Sequence, residues 1–400
     1  MFRILYIATT YIATLLLPVV GLFVKKAKTF IQERKNSQIV TVAPKKYWIH
    51  CASLGEYEMA IPIINKLLKS NSLDDILITL FSPSGYTQAI KGPLSSSIMY
   101  LPLDNLALVK QFYIDYAPKK AIFIRYDFWF NFIYEGQKRG TDFYLINGRF
   151  QEDHFVLTVI GKPYLKLIRN FKKIYTSDEA SAEILNTHTI AAEFSGDTRY
   201  DRVAEIVNSA PEYPDIADFI GSRKLLIVGS SWEEEEELIH QLLQHKPENL
   251  AILIAPHDIK RSDKIVAQLK PYSPKKYTVG NFSSADDVLI INTIGMLSGV
   301  YRYADMALIG GGFSGALHNI LEPAVWGCHL SFGPQTQKFP EAQDFVEAGF
   351  AYPIASAEEW TNRVLELLRS EEILTTKKSK AKAYCESMMG STSRIIHTIG

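Results

Sequence analysis

"MALIGGGFSGALHNILEP", residues 306–323, runs from a short apolar segment through a glycine-rich bend into a helix-like pattern. A strand that turns into a helix is one βα unit, and repeated units build a parallel sheet covered on both faces. The same alternation recurs outward from it. "LLIVGS", "LAILIAP", "DVLIIN" and "HLSFGP" read as neighbouring strands, with helix-like "EEEELIHQLLQHK" and "SDKIVAQLK" between them. Earlier in the chain "KYWIH", "DILITLF", "SIMYLPL", "KAIFIRYD" and "DFYLING" are short, rich in β-formers and bounded by turn residues, as strands are. "MAIPIINKLLKS", "LALVKQFYIDYA" and "NFIYEGQKRG" read as the helices among them. The rhythm weakens over 208–224, where two prolines and polar residues suggest a linker. The expected fold class is α/β. Two Rossmann-like doubly wound domains, 29–207 and 225–400, face a cleft, and residues 1–28 form a separate amino-terminal element.

That element is apolar. Ile4 to Val24 carries no charge and is followed by Lys25, Lys26 and Lys28. About 21 residues at ~1.5 Å each reach ~31 Å, the thickness of a hydrocarbon core. A cleaved signal peptide has a shorter apolar region and a small-residue cleavage site. The expectation is a membrane-anchor helix with the basic flank, and the domains after it, on the cytoplasmic side. Pro18 leaves a tilted or monotopic insertion open beside a span.

Charge is balanced over the whole chain but not along it. Residues 1–200 hold 24 Lys+Arg against 17 Asp+Glu, hence +7, and residues 201–400 the reverse imbalance, 19 against 26. A mildly basic first half suits an anionic lipid or membrane surface. No basic tract, zinc spacing or aromatic ribonucleoprotein motif points to nucleic acid. Cys51, Cys328 and Cys385 are far apart and read as reduced core thiols.

Gly310, Gly312 and Gly315 satisfy GxGxxG, but the dinucleotide reading needs an acid about 20 residues on, and "CHLSFGPQTQ" has none. What remains is a glycine-rich bend opening a helix, which presents N–H groups to an anion. Asn319 and Glu322, three apart, share a helical face, and a carboxylate there can hold a ribose diol. "LAILIAPHDIKR" ends a strand with His257, Asp258, Lys260 and Arg261, cations for a phosphate. The turn Ile294-Gly295-Met296-Leu297 can read a base through its backbone. In "GSSWEEEEEL" the acids fit a helix first turn, with Ser231 and Glu234 as a capping box, leaving Ser230 and Ser231 as site candidates.

"CASLGEYEMA", 51–60, follows the strand "KYWIH". Ser53-x-x-Glu56 fits a capping box, but a helix capped at Ser53 carries Pro62 deep in its interior, at a cost of about 3 kcal/mol. A helix starting near Glu58 holds Pro62 near its first turn and leaves Glu56 in the bend, beyond a strand end.

With these residues in view, the chain resembles the 3-deoxy-D-manno-octulosonic acid (Kdo) transferases, glycosyltransferases of the GT-B fold that modify lipid A. "HCASLGE", "RYDFWFN", "LINGR", "GDTRYD", "IAP…R", "TIGML…Y" and "HNILEP…FGP" carry the resemblance, in order and nearly end to end. It implies an inverting transfer of Kdo from CMP-Kdo to a lipid A precursor in lipopolysaccharide core biosynthesis. It also implies Glu56 as catalytic base, Ile294–Leu297 against cytosine, Asn319 and Glu322 on the CMP portion, and Arg261 near the phosphate. Ser231, His257 and Gly315 complete the expected donor set. The expected acceptor set is Ser53, Gly55, Arg125, Asp127, Asn131 and Arg149. Departures are His257-Asp258 for Arg-His, Arg125 for an acid, Phe130 for proline, and Ala316-Leu317 for Gly-Gly. The implied partners are CMP-Kdo, the lipid A precursor and membrane lipid, at the cytoplasmic face of the inner membrane. No cofactor and no metal is expected. The rivals are a GT-B transferase using a UDP-sugar and a non-catalytic membrane-attached sugar- or nucleotide-binding protein.

Overall fold

The computed structural model describes residues 2–35, 37, 40–245 and 247–400, without the Lys26 side chain counted above in the basic flank. Its contacts divide the chain into two units, Met1–Arg202 with Met388–Gly400, and Val203–Ser387.

The first unit is built on a seven-stranded parallel sheet. Its strands are β1 (Tyr47–Cys51), β2 (Ile76–Leu80), β3 (Ile98–Tyr100), β4 (Lys120–Ile124), β5 (Asp142–Gly148), β6 (Lys173–Thr176) and β7 (Ala192–Phe194), in the order β3-β2-β1-β4-β5-β6-β7. Successive side chains on a strand point to opposite faces. Trp48 therefore joins Leu77, Phe123 and Phe143 in one core, while Tyr47, Ile49 and Cys51 join Ile78 and Ile122 in the other. Burial on both faces is what makes these strands read as continuous apolar runs.

The second unit repeats the plan with β8 (Lys224–Ser231), β9 (Leu250–Pro256), β10 (Lys275–Lys276), β11 (Val288–Ile290), β12 (Met306–Ile309), β13 (His329–Phe332) and β14 (Ala351–Pro353). The order is β10-β11-β9-β8-β12-β13-β14, again parallel. Leu226, Val228, Ile252, Ile254 and Leu308 form one core with the fully buried Trp360, whose indole N–H donates to Ser331 Oγ at 3.0 Å.

Two features differ from the sequence expectation. The stretch 208–224 contains the helix Pro214–Ile220, the end of the helix Thr198–Ser209 and the first residue of β8. The terminal helix Ser391–Ile399, expected in the second unit, belongs to the first, where Ile395 and Ile399 enter the core around Tyr47 and Ile49. Asp201 fixes its start, accepting from Gly390 N at 2.6 Å and Thr392 N at 2.7 Å, and Arg394 donates to Ser195 O. Two charge-assisted caps of this kind are worth about 2 kcal/mol together. Asp201→Ala is expected to raise amide exchange over 391–399 by more than tenfold, with exchange in the strands of the second unit unchanged.

The helix Phe2–Phe23 is long and apolar enough to cross a membrane, by length and composition, and 6% of its apolar window is buried.

Candidate functional site

In an open parallel sheet, ligands meet the carboxyl ends of the strands where the order reverses. In the first unit that point lies between β1, which leads to β2 and β3, and β4, which leads to β5 and beyond. The segment leaving β1 carries Ser53 and Glu56, and the segment leaving β4 carries Arg125 and Asp127.

The helix after β1 runs from Leu54 to Leu67, capped by Ser53, whose Oγ accepts from Glu56 N at 3.4 Å. This corrects the expected start near Glu58. Pro62 is tolerated inside the helix because it packs in a buried face with Tyr57, Met59, Ala60, Ile63, Ile64 and Leu67. That burial and the cap outweigh one missing hydrogen bond. Glu56 is thus a first-turn residue, and its carboxylate folds back over the cap to accept from Ala52 N. It remains beyond the end of β1, half-buried. Burial pushes its pKa above the usual carboxylate value, and Asp127 adds to the rise. The Ala52 N–H, His50 and Arg125 oppose it. A carboxylate held this way binds a proton more readily than a solvated one.

Around it, His50 is fully buried, with Nδ1 2.9 Å from Thr79 Oγ1 and Nε2 2.9 Å from Asp127 Oδ2. The Trp129 indole N–H donates to Asp127 Oδ2 at 2.8 Å and lies 3.1 Å from His50 Nε2. Arg125 has a left-handed backbone, φ 62°, and no ion pair within 4.0 Å among the described residues. A non-glycine residue in that region costs about 1–3 kcal/mol and is characteristic of functional sites. Its charge lowers the pKa of both Glu56 and Asp197. Gly55 sits in the helix's first turn with open space where a Cβ would be.

The other expected acceptor residues are engaged inside the fold. Asn131 is buried, its N–H donating to Asp104 Oδ2 at 3.1 Å and its Nδ2 to Asp104 O at 2.7 Å, so it braces a loop and is not open to a ligand. Arg149 pairs with Asp178 at 3.7 Å. His50 and Thr79 extend the Asp127 network and Asn147 belongs to a second one, and the sequence reading names none of the three as site residues. Asn147, φ 53°, donates to Thr198 Oγ1 at 2.7 Å and Asp197 Oδ1 at 3.2 Å, and Arg199 clamps Asp197 at 2.8 Å. A histidine at the end of the apolar strand "YWIHC" was the available signal.

The second unit's order reverses between β8 and β12. Ser230 there is left-handed, φ 55°, the counterpart of Arg125. The glycine bend does not open a helix directly. Residues 310–320 are irregular, and a short helix begins only at Leu321. The glycines serve close backbone approach: a Cβ on Gly310 would lie 2.0 Å from Ser230 O, and one on Gly312 would lie 2.5 Å from Gly333 N. Gly315 keeps a positive φ of 72° on this loop.

The acid run is more than a dipole complement. Glu235, fully buried, accepts from Trp232 N at 2.9 Å and from Gly311 N at 3.2 Å, so it ties the glycine loop to β8's exit. It, and not Glu234, closes the cap. Ser231 is fully buried against Glu236 at 3.4 Å, which removes its side chain from the donor set. Arg261 is held by Glu236 at 2.6 Å and Glu233 at 3.1 Å, so its charge is already met and its pKa is raised.

His257 stacks between Trp232, centroids 4.4 Å apart, and His318, 4.6 Å apart. Burial and His257 push the His318 pKa down, which keeps its imidazole neutral. Trp232, His257, Asp258, Ile259, Arg261 and Ile294 line an open pocket of about 550 Å³. Ile294 is exposed and Gly295 has φ 92°, so this turn's backbone is accessible, whereas Met296 is buried and Leu297 starts a short helix. Asn319 Nδ2 donates to Glu322 Oε1 at 3.0 Å, and Asn319 Oδ1 accepts from Leu321 N at 2.9 Å. Asn319 therefore orients Glu322, whose pKa burial raises. Among the described residues no three His, Cys, Asp or Glu side chains are grouped as metal ligands.

Residues 25–202 match the family model described as 3-deoxy-D-manno-octulosonic-acid transferase (kdotransferase). The chain is 25% identical over 381 residues to the 3-deoxy-D-manno-octulosonic acid transferase of Rickettsia typhi, covering 91% of this chain and 81% of that one. It is 27% identical over 304 residues to the Chlamydophila psittaci enzyme of the same name, with coverages of 72% and 70%. Among solved structures, MurG of Acinetobacter baumannii superposes with a TM-score of 0.58 at 12% identity, over 89% of this chain and 99% of that one, a likeness of fold. By its first unit and over most of its length the chain is thus similar to the 3-deoxy-D-manno-octulosonic acid (Kdo) transferases, which are glycosyltransferases, and its fold is GT-B.

Proposed function

We propose that the protein is an inverting glycosyltransferase that moves Kdo from CMP-Kdo to a lipid A precursor, with Glu56 as general base. The observation that carries the reading is Glu56 itself, a half-buried carboxylate of raised pKa beyond the end of β1, at the switch point of a chain similar to the Kdo transferases. Glu56 removes the proton from an acceptor hydroxyl as its oxygen attacks the anomeric carbon of Kdo. The bond from that carbon to the phosphate oxygen breaks, and CMP leaves with the electron pair. The proton ends on Glu56 and the anomeric configuration inverts. The phosphate is already a good leaving group, so the step asks for charge stabilisation and not for a redox partner.

Glu322, oriented by Asn319, holds the ribose diol in this reading, and the Ile294–Gly295 backbone meets the base. Arg261 is neutralised by two carboxylates, which leaves His257, in the same pocket, and the exposed Lys260, three residues on, for the phosphate. Arg125, with Ser53 and Gly55 beside Glu56, faces the acceptor's anionic groups. The apolar helix supports membrane association, and we place the domains at the cytoplasmic face of the inner membrane, where the acceptor lies.

The donor is tested by CMP release from CMP-Kdo in the presence of a lipid A precursor, with UDP-sugars in parallel. Release from CMP-Kdo alone among these donors is expected. UDP release from a UDP-sugar, or no turnover with tight nucleotide binding, would favour the two rivals respectively.

A further inference from the structure

The apolar helix Phe2–Phe23 is fastened to the first unit at its amino end, by contacts a free anchor would not make. Arg3 pairs with Glu135 at 3.0 Å and lies over the Tyr134 ring at 3.8 Å. Tyr6 donates to the buried Asp104 at 2.7 Å, and Phe2 and Tyr6 both pack on Phe130 and Tyr164. The chain then turns at Val24 into the helix Lys25–Lys35, which packs back along the first helix. Gly21 permits that crossing, since a Cβ there would lie 2.9 Å from Ile31 Cδ1. This return helix is fastened to the same unit. Arg34 donates to Leu101 O at 2.5 Å and Phe81 O at 3.1 Å, and its guanidinium sits among the rings of Phe30, Phe81 and Tyr100.

A helix that spans a bilayer has its two ends on opposite sides of ~30 Å of hydrocarbon. Here both ends of the hairpin are docked on one folded unit. From Ile7 to Phe23 the helix reaches about 25 Å, short of a span. Returning from the far side would drag Lys25, Lys28, Glu33 and Arg34 through the hydrocarbon core, at a prohibitive cost. The side facing protein is a stripe, Phe2, Tyr6, Thr10, Thr14, Leu17 and Gly21, while Ile12, Leu16, Val19 and Phe23 are exposed on the other.

A second apolar element adjoins the docked end. Phe155 packs edge-on against Tyr164 at 5.2 Å, the ring that also receives Phe2 and Tyr6. The loop it begins exposes Val159 by 76% and Ile160 by 83%, with Lys162 and Lys166 exposed just after. Exposed aliphatic residues followed by lysines suit a leaflet with anionic headgroups.

We propose that the protein is held in one leaflet by two elements, the in-plane helix Phe2–Phe23 and the tip Val159–Ile160, and that neither crosses the bilayer. The proposal rests on the membrane-association reading and specifies its form. The test is nitroxide depth measurement on the full chain bound to vesicles of zwitterionic and anionic phospholipid. Single cysteines replace Ile12, Leu16, Phe23 or Ile160; the native Cys51, Cys328 and Cys385 are buried and will not label. The three helix positions share one face, so an in-plane helix puts them at one depth in one leaflet, with residue 160 also in lipid. Depths that pass through the bilayer midplane from 12 to 23 would overturn the proposal in favour of a span. Helix labels in lipid with residue 160 in water would overturn the second element. All four labels in water would overturn membrane association itself. In parallel, Val159→Asp with Ile160→Asp is expected to weaken vesicle retention at least about tenfold, with the far-ultraviolet spectrum unchanged. Unaltered retention would count against the tip.

Discussion

Glu56→Gln is expected to lower turnover by about 10²–10⁴, the contribution of a positioned general base. Glutamine keeps the size of the side chain and an oxygen to accept from Ala52 N, but it cannot take a proton. The stability outcome separates this role from a purely capping one. The folded-state pKa of Glu56 lies above its ordinary value of 4.5. Between those two values the native state binds more protons than the unfolded state, so stability falls as pH rises through the window. At neutral pH the ionised, partly desolvated carboxylate is therefore a net cost to folding. The Gln variant should be as stable as the parent at pH 7, or more so, by thermal unfolding. A base must be ionised to act, so the parent's activity should fall as pH drops through a value above 4.5, and the acidic limb of kcat/KM reads that value. Near-normal turnover by the variant, with stability lowered by about 1 kcal/mol, would assign Glu56 to the cap alone.

Glu322→Ala is expected to weaken CMP binding by about tenfold or more, since a hydrogen bond to a charged group is worth about 1.5–3 kcal/mol. Asn319 is spent on positioning, one amide face on Leu321 N and the other on Glu322. Asn319→Ala should then weaken CMP less than Glu322→Ala, and in the double variant the Asn319 change should add almost nothing. Calorimetric titration with CMP reads all three. Unchanged affinity for Glu322→Ala would remove the carboxylate from the donor site.

The strands that set both switch points were legible because they are buried on two faces and read as unbroken apolar runs between turns. β6, β7, β10 and β14 carry no such run. Lys173–Thr176 is amphipathic and short, and Lys275–Lys276 has no apolar residue at all, so their pairing is imposed by neighbours and not by local pattern. Sequence spacing misplaces the start of the helix after β1, because it shows the backbone cost of Pro62 and nothing else. Burial of its ring with Ile63 and Ile64 is a tertiary term that spacing does not reveal. The glycine bend is legible in the sequence, but as a helix opener. Its glycines answer to Ser230 and Gly333, which are distant in sequence and close only in the fold.

Site residues followed the same rule. Glu56 and Glu322 are legible as candidates from their positions after a strand and on a helix face, and Arg125 only through the resemblance. The neutralisation of Arg261 by Glu233 and Glu236, the enclosure of Asn131 and the burial of Glu235 depend on contacts between segments. An acid run that favours a helix dipole looks the same in sequence as one that braces a neighbouring loop.

The most direct measurement is the mass of the lipid product. Purified protein incubated with CMP-Kdo and a lipid A precursor should yield a lipid heavier by one or more Kdo residues, with equimolar CMP. The Glu56→Gln protein, folded and still binding CMP, should yield almost none. An unmodified lipid from the parent protein, or a product formed equally well by the Gln variant, would contradict Kdo transfer with Glu56 as its base.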